Sequence, residues 1–502
     1  MLPAAICIVY ILLRVWHITD ACLWFDEIFS VHAAEMAWRD MFWFVAQDLI
    51  HPPLFYIFLK IWILVGGSSL VWLRYFPVLF STAALIPFYF LCRQLKLSKP
   101  LIALALTFFA VSGSLIKYAQ EVRMYSVLLC LSLFSLWLFA RYLNVGKGIW
   151  ILTIINILLV HTQYFGWFLV VAEVAVLIYL QRVKIGQMLI MFGITLISII
   201  PWMIAVINAS RINSDVSQNL SWAAKPDLLS FFQFILNLNE PFYYRSLSSD
   251  PISILPIGLP VLLILITAAA FYFVDWKSRG EKERNAIAFL VIVVLLPVIL
   301  SFAASWILPF SIWGTRHFII IFAPYFILIA KILGGIQLRA LRIGFVTSML
   351  IAICAAFYLS VNREAKTPIW CAWENLANSL YDSTLHGTEA TEIAVYTFED
   401  LVAYHFWFAL RDSDRGFRIK KISDLSEMKE DKAYFIPRGF DGVKTVNFEE
   451  IKERKIFIAF RDAALDEQKS PLKELIAKGY TPKKPVVFEA DGMKAFLVEL
   501  DK

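Results

Sequence analysis

Charge is what this sequence has least of. Only 17% of its 502 residues are Asp, Glu, Lys or Arg, against 60% that are hydrophobic, and the mean hydropathy is +0.68. That is the composition of a polytopic membrane protein. Metal-ligand cysteine spacing is also missing. Of six cysteines, Cys7, Cys92, Cys130 and Cys354 lie in apolar runs and read as small buried side chains. No A-x-A-like site closes the first apolar run and Arg14 interrupts it late, so it reads as a first span and not a cleaved leader. There is no internal repeat and no low-complexity tract. The net charge of +6 gives no reason to expect nucleic acid, because the basic residues sit in short joints between apolar runs.

What the chain has is apolar length. Aromatic residues reach 16%, with 42 Phe and 17 Trp, which suits lipid contact and interfacial belts. Residues 1–361 alternate apolar runs with short polar joints, whereas 362–502 have ordinary soluble composition. Two domains are expected: a transmembrane domain, 1–361, and an α/β domain, 362–502. A spanning helix needs about 20 mostly apolar residues. About 11 are expected, near 2–18, 71–92, 100–116, 124–143, 149–161, 164–181, 187–207, 252–274, 285–307, 317–335 and 343–359. Every second joint is basic: Arg93, Lys96 and Lys99; Arg141 and Lys147; Arg182 and Lys184; Lys277, Arg279, Lys282 and Arg284; Arg339 and Arg342. These joints face the cytoplasm by the positive-inside rule. The N-terminus is then cytoplasmic, and the remaining joints and the tail are extracytoplasmic. Cys22 and Cys371 fall on that same outer side, where a bridge is open to them.

The alternation decides one doubtful segment. Leu54–Val65 is apolar but short and contains Lys60; if it spanned, the joint at Arg93–Lys99 would face outward. It reads as a helix lying on the outer membrane surface, with one or two more interfacial helices in Asp26–Gln47. The joint 208–251 is long and polar, with Phe242-Tyr243-Tyr244-Arg245 as a candidate substrate contact. In the tail, Ile393–Phe398, Ala433–Ile436, Lys455–Phe460 and two runs in Pro485–Leu500 read as strands, the last two joined by an Asp491-Gly492 turn. Trp373–Tyr381 and Leu401–Leu410 read as helices.

Polar side chains gather at the outer ends of the spans. The first joint, which includes Leu23–Pro53, has Asp26, Glu27 and His51. The next outward joint has Tyr118, Gln120, Glu121, Arg123 and Tyr125. His161, Gln163 and Tyr164 follow, then Arg316 and His317. Taken singly, each is equally a solvated residue, a helix cap, an ion pair or an interhelical hydrogen bond. Together, on one face of a topology fixed by Lys and Arg alone, they are candidates for a site. Such a set suits transfer of a group from a membrane-embedded donor to a surface acceptor. A carboxylate deprotonates the acceptor hydroxyl, and a cation stabilises the departing phosphate. Asp26 fits the first role; Arg123, Arg316 or a metal held by acids and His fits the second.

The ordered set of Asp26-Glu27, His51-Pro52-Pro53-Leu54, Arg74-Tyr75-Phe76-Pro77, Tyr118-Ala-Gln120-Glu121-Val-Arg123-Met-Tyr125, His161-Thr-Gln-Tyr164-Phe165 and Thr315-Arg316-His317 resembles a known family. It is that of the GT-C glycosyltransferases related to protein O-mannosyltransferases and aminoarabinose transferases, in its bacterial dolichyl-phosphate-mannose-type or RgtA-like branch. The resemblance covers about residues 20–330. It implies the GT-C fold, an inverting transfer from a polyprenyl-phosphate sugar to a hydroxyl of an extracytoplasmic acceptor (lipid A, polysaccharide, lipid or protein), and a place in the plasma membrane. It implies Asp26 as base, Glu121 as second acid, with Glu27 beside them, and Arg123 and Arg316 on the lipid phosphate. His51, Tyr118, Gln120, Tyr125, His161, Tyr164 and His317 would line the donor site. His317 stands where the family has Tyr. The chain has no D-x-D, so a divalent metal (Mg2+, Mn2+ or Zn2+) stays open, with Glu27, His51 and Glu121 as the groups to hold it. Two rivals stay in view. A transporter of polyprenyl-linked lipid predicts acids deep in the spans and broken helices, whereas the acids are expected at the outer ends. A non-enzymatic scaffold leaves the clustered polar residues without a purpose.

Overall fold

The computed structural model describes residues 2–180, 185–213, 224–242, 258–362, 367–385, 392–422, 436–462, 471–490 and 492–502. The chain divides into two units: Met1–Ile18 with Ala34–Glu364, and Thr19–Ala33 with Ala365–Lys502.

Helices run along the chain as α1 (Leu2–Val15), α2 (Phe25–Glu35), α3 (Trp38–Asp48), α4 (Leu54–Gly66), α5 (Leu70–Ala83), α6 (Leu85–Gln94), α7 (Lys99–Val111) and α8 (Gly113–Ala119). Then come α9 (Tyr125–Val145), α10 (Ile149–Thr162), α11 (Gly166–Tyr179), α12 (Ile185–Asn213), α13 (Leu228–Leu238), α14 (Leu259–Val274), α15 (Glu281–Ile307), α16 (Ile319–Gly334) and α17 (Arg339–Val361). Every apolar run expected to span is mainly helical where described. Among the described residues, 6 helices are long and apolar enough to cross a membrane unaided, and the other apolar helices have 10–17 residues. The bundle is built around α9: 78% of its most apolar window is buried, against 17% for α17.

One of the expected spans is broken. Run 71–92 continues through Ala84, which keeps helical hydrogen bonds to Phe80 and Phe88, so α5 and α6 form one helix over Leu70–Gln94. Run 100–116 breaks at Ser112, between α7 and α8. At this break an extended segment supplies the missing backbone partners: Phe242 N–H donates to Val111 C=O and Gly113 N–H to Glu240 C=O, both at 2.9 Å. This meets the requirement that buried backbone groups be paired. The joint 208–251 holds a helix as well as loop. α13 starts at Asp227, whose carboxylate accepts from the Ser230 N–H at 2.7 Å. Phe242 is buried; Tyr243, Tyr244 and Arg245 lie outside the described residues.

The charges inside apolar helices have local causes. Arg14, fully buried, donates to the Tyr10 and Ala110 carbonyls at 3.0 Å, to Phe109 C=O at 3.2 Å and to Ser81 Oγ at 3.0 Å. It thereby caps the end of α7. Lys60 donates to the Ala34 and Met36 carbonyls, so α4 buries one charge while Ile61, Leu64 and Val65 present its apolar side outward. One expectation is corrected: the acids are not all at the outer ends of the spans. Glu173, midway along α11, is fully buried.

In the second unit a 7-stranded sheet is ordered β3-β2-β1-β4-β7-β5, with β6 also on β7. The strands are β1 (Ile393–Thr397), β2 (Phe417–Ile422), β3 (Lys444–Val446), β4 (Lys455–Arg461), β5 (Thr481–Pro482), β6 (Val486–Ala490) and β7 (Met493–Asp501). β1 to β4 pair in parallel and β7 antiparallel. Alternate side chains build two cores. Trp373, Val395, Phe406 and Leu497 meet α18 (Ile369–Leu385) and α19 (Asp400–Leu410). Tyr396, Ile458, Leu475 and Val498 meet α20 (Pro471–Ala477) on the other face. β2, β3 and α20 are elements the sequence reading did not name. Residues 433–435 of one expected strand, and Asp491, lie outside the described residues, whereas Gly492 holds the positive φ of 76° that the β6–β7 turn needs.

The Thr19–Ala33 segment belongs to this unit through a disulfide, Cys22–Cys371, and through aromatic packing. Phe25 meets Tyr404 at 5.1 Å between ring centroids, and His32 meets Trp407 at 4.6 Å. His32 Nδ1 lies 2.8 Å from Tyr404 Oη. Burial and nearby Arg411 push the His32 imidazole down to about 4.

Candidate functional site

The first unit gathers most of the candidate residues, and the α8–α9 corner organises them. α8 ends at Ala119, and the chain turns through Gln120–Met124 before α9 begins. The turn is held from three sides. Arg74 donates to the Gln120 carbonyl. Gln120 Nε2 donates to the Arg14 and Trp16 carbonyls at 3.2 and 2.6 Å. Ser126 Oγ donates to Tyr118 C=O at 3.1 Å. Gln120 is therefore a brace, and Arg74 supports it.

Arg123, only 3% exposed, places its Nη2 3.1 Å from His51 Nε2. His51 Nδ1 is bonded to the Asp48 carboxylate. A guanidinium only donates, so Nε2 must accept and the ring carries its proton on Nδ1, pointed at Asp48. Asp48 was not among the sequence candidates; the available signal was a carboxylate three residues before the His-Pro-Pro corner.

Arg316 and His317 stand in a 3-10 turn, Thr315–Phe318. The His317 ring lies 4.4 Å from that of Phe165, and its electrostatic neighbours are Arg316, His51 and Arg123. Tyr118 and Tyr125 face each other at 4.7 Å. Burial pushes the Tyr118 phenol up, with Glu121 and Tyr125 adding to it, against Arg316 and a hydrogen bond with Thr315. Tyr118 is thus a neutral hydroxyl among charged groups. Asp48, Glu121, Arg123 and Arg316, with His51, His317, Tyr118 and Tyr125, form one constellation drawn from three joints.

Two candidates serve α12 instead. His161 Nε2 lies 3.4 Å from Ser198 Oγ, and Tyr164 Oη accepts from Trp202 Nε1 at 3.1 Å. Tyr164 nonetheless lies within electrostatic reach of Asp48. Asp26 and Glu27 are carried by the second unit. Glu27 is fully buried and its Oε2 accepts from the Trp24 N–H at 3.0 Å, closing the first turn of α2. Asp26 is half-buried, and its backbone carbonyl accepts from Ser30 Oγ at 2.8 Å.

The three metal candidates do not make a donor set. Both His51 nitrogens face Asp48 and Arg123, and a guanidinium beside Nε2 repels a dication. Glu27 is turned to the Trp24 amide. Among the described residues no group of three or more His, Cys, Asp or Glu side chains comes together to hold a metal ion.

No family model matches the sequence, and no curated protein matches it. Solved structures do resemble it. ArnT from Cupriavidus metallidurans, bound to undecaprenyl phosphate, superposes with a TM-score of 0.58 at 11% identity, over 99% of this chain and 97% of that one. The same protein in the apo state gives 0.59 at 10% identity, over 99% and 97%. The Archaeoglobus fulgidus oligosaccharyltransferase, in complex with Zn and sulfate, gives 0.46 at 14% identity, over 83% of this chain and 62% of that one, too loose a likeness to bear on function. The chain has the GT-C glycosyltransferase fold: a helical membrane domain followed by an α/β domain.

Proposed function

We propose that this protein is an inverting membrane glycosyltransferase, moving a sugar from a polyprenyl phosphate to a hydroxyl of an extracytoplasmic lipid, glycan or protein. The observation that carries the proposal is the pair of guanidinium-bearing corners, Arg123 with His51 and Arg316 with His317, around a neutral tyrosine. Guanidinium groups clustered at one corner of an apolar bundle suit an anionic ligand that they can hold by charge-assisted hydrogen bonds. A lipid phosphate is such a ligand, and its chain stays in the membrane. The fold shared with ArnT, whose structure holds undecaprenyl phosphate, supports the same donor class.

In the step proposed, the acceptor oxygen attacks the anomeric carbon and its proton passes to the Asp26 carboxylate. The bond from that carbon to the phosphate oxygen breaks, leaving its electron pair on the lipid phosphate. Arg123 and Arg316 hold that phosphate as its charge grows, through charge-assisted bonds roughly twice as strong as neutral ones. His51, fixed by Asp48, aims Arg123. Tyr118 can donate its proton to a phosphate oxygen without titrating. Glu121 lies beside it as the second acid. The base role of Asp26 rests on its place in the ordered motif set, and no step runs through a metal.

The test is transfer from a radiolabelled polyprenyl-phosphate sugar. Asp26→Asn is expected to lose about 10²–10⁴-fold and Arg123→Ala about 10²–10³-fold. Wild-type turnover at normal expression removes the residue concerned from its role. The transporter reading retains two observations, the acid deep in α11 and the break between α7 and α8. It requires labelled lipid to cross vesicles without sugar transfer.

A further inference from the structure

Glu173 has no part in the step above, yet it is buried with two polar partners from neighbouring helices. Ser135 on α9, Asn156 on α10 and Glu173 on α11 are each fully buried. Ser135 Oγ lies 2.6 Å from Asn156 Oδ1 and 2.5 Å from Glu173 Oε1, and Asn156 Nδ2 lies 2.8 Å from Glu173 Oε2. Each of the three groups touches the other two.

Three contacts need three protons. The serine hydroxyl has one and can fill one contact. The amide can fill one more, because only its nitrogen side donates and that side meets a single ring partner. If Glu173 is a carboxylate, the third contact sets two oxygen acceptors together among fully buried side chains, which costs free energy. A proton on Glu173 completes the ring: Glu173 Oε1–H donates to Ser135, Ser135 Oγ–H to Asn156 Oδ1, and Asn156 Nδ2–H to Glu173 Oε2. Reversing the amide leaves the count unchanged, since the ring then runs the other way and still needs a carboxyl proton. The observed orientation also gives the second amide proton a partner, Met191 Sδ of α12 at 3.3 Å. The described residues give Glu173 no other polar partner and no basic one.

We propose that Glu173 is held as a neutral carboxylic acid. Its closed ring with Ser135 and Asn156 fixes the three helices whose ends carry Arg123, His161 and Tyr164. Glu173 is then a positioning residue, and its proton belongs to the fold. Infrared difference spectra of the whole chain in detergent, wild type minus Glu173→Gln, test this directly. A carboxylic C=O band that shifts in D2O is expected; carboxylate bands in its place overturn the proposal. Glutamine reproduces a neutral donor–acceptor pair, so Glu173→Gln is expected to keep the wild-type melting temperature and Glu173→Ala to lower it. Glutamine as damaging as alanine also overturns it.

Discussion

Asp48→Asn changes one atom and tests the tightest link in the site. Asp48 accepts the Nδ1 proton of His51 and so leaves Nε2 to accept from Arg123 at 3.1 Å. Exchanging a charged for a neutral acceptor lowers a net hydrogen-bond contribution from roughly 1.5–3 to roughly 0.5–1.5 kcal/mol, a loss of about 1 kcal/mol. If the new amide turns its NH2 to the ring, the imidazole proton moves to Nε2 and faces the guanidinium, which forfeits about 1 kcal/mol more. The side chains of His51 and Asp48 are only 15% and 13% exposed, so solvent replaces little of this. About 2 kcal/mol corresponds to roughly a thirtyfold loss in kcat/KM. The assay is steady-state transfer by wild type, Asp48→Asn, Arg123→Lys and the double variant. A relay through His51 predicts a coupling energy of about 0.5–3 kcal/mol; additivity within about 0.3–0.5 kcal/mol refutes it.

The Cys22–Cys371 disulfide predicts that these two thiols resist alkylation until the protein is reduced, and that Cys22→Ser costs roughly 2–5 kcal/mol of stability. Alkylation of both in the unreduced protein refutes the bond. In the second unit, burial raises the Glu453 carboxyl, but bonds from Lys420 and Tyr396 outweigh it and bring it down to about 2 from 4.5. A depressed carboxyl contributes stability above its unfolded value that is lost as pH falls through its folded one. Acid unfolding of wild type should therefore steepen between pH 4.5 and 2. Glu453→Gln should flatten that slope by an amount that solvent screening holds to the order of 1 kcal/mol; an unchanged slope rejects the linkage.

Apolar runs announced the helices because burial in lipid acts on composition, and alternating Val, Ile, Phe and Tyr announced β1, β4, β6 and β7. The break was hidden. The interruption at Ser112 depends on Glu240 and Phe242, far along the chain, and no local propensity marks it. The grouping of Asp26 and Glu27 with the tail was hidden for the same reason, since Cys371, Tyr404 and Trp407 determine it. His51 and Arg123 were legible as motif residues but their pairing was not, and Asp48 was passed over because a lone acid before a loop reads as solvated. Glu173 stood in plain view within an apolar run. Its meaning required Ser135 and Asn156, which only packing brings to it.

The membership of Thr19–Ala33 also sets a timetable for synthesis. That segment leaves the ribosome early, and Cys371 follows 349 residues later. At about 5–20 residues per second this is an interval of roughly 20–70 s. Phe25 and His32 meet Tyr404 and Trp407 only after that, so the first piece of the second unit is made after α1 but before the rest of the bundle, and finished after it. A chain terminated between α17 and Tyr404 would hold every helix of the bundle, yet leave Phe25 and His32 in their nascent condition.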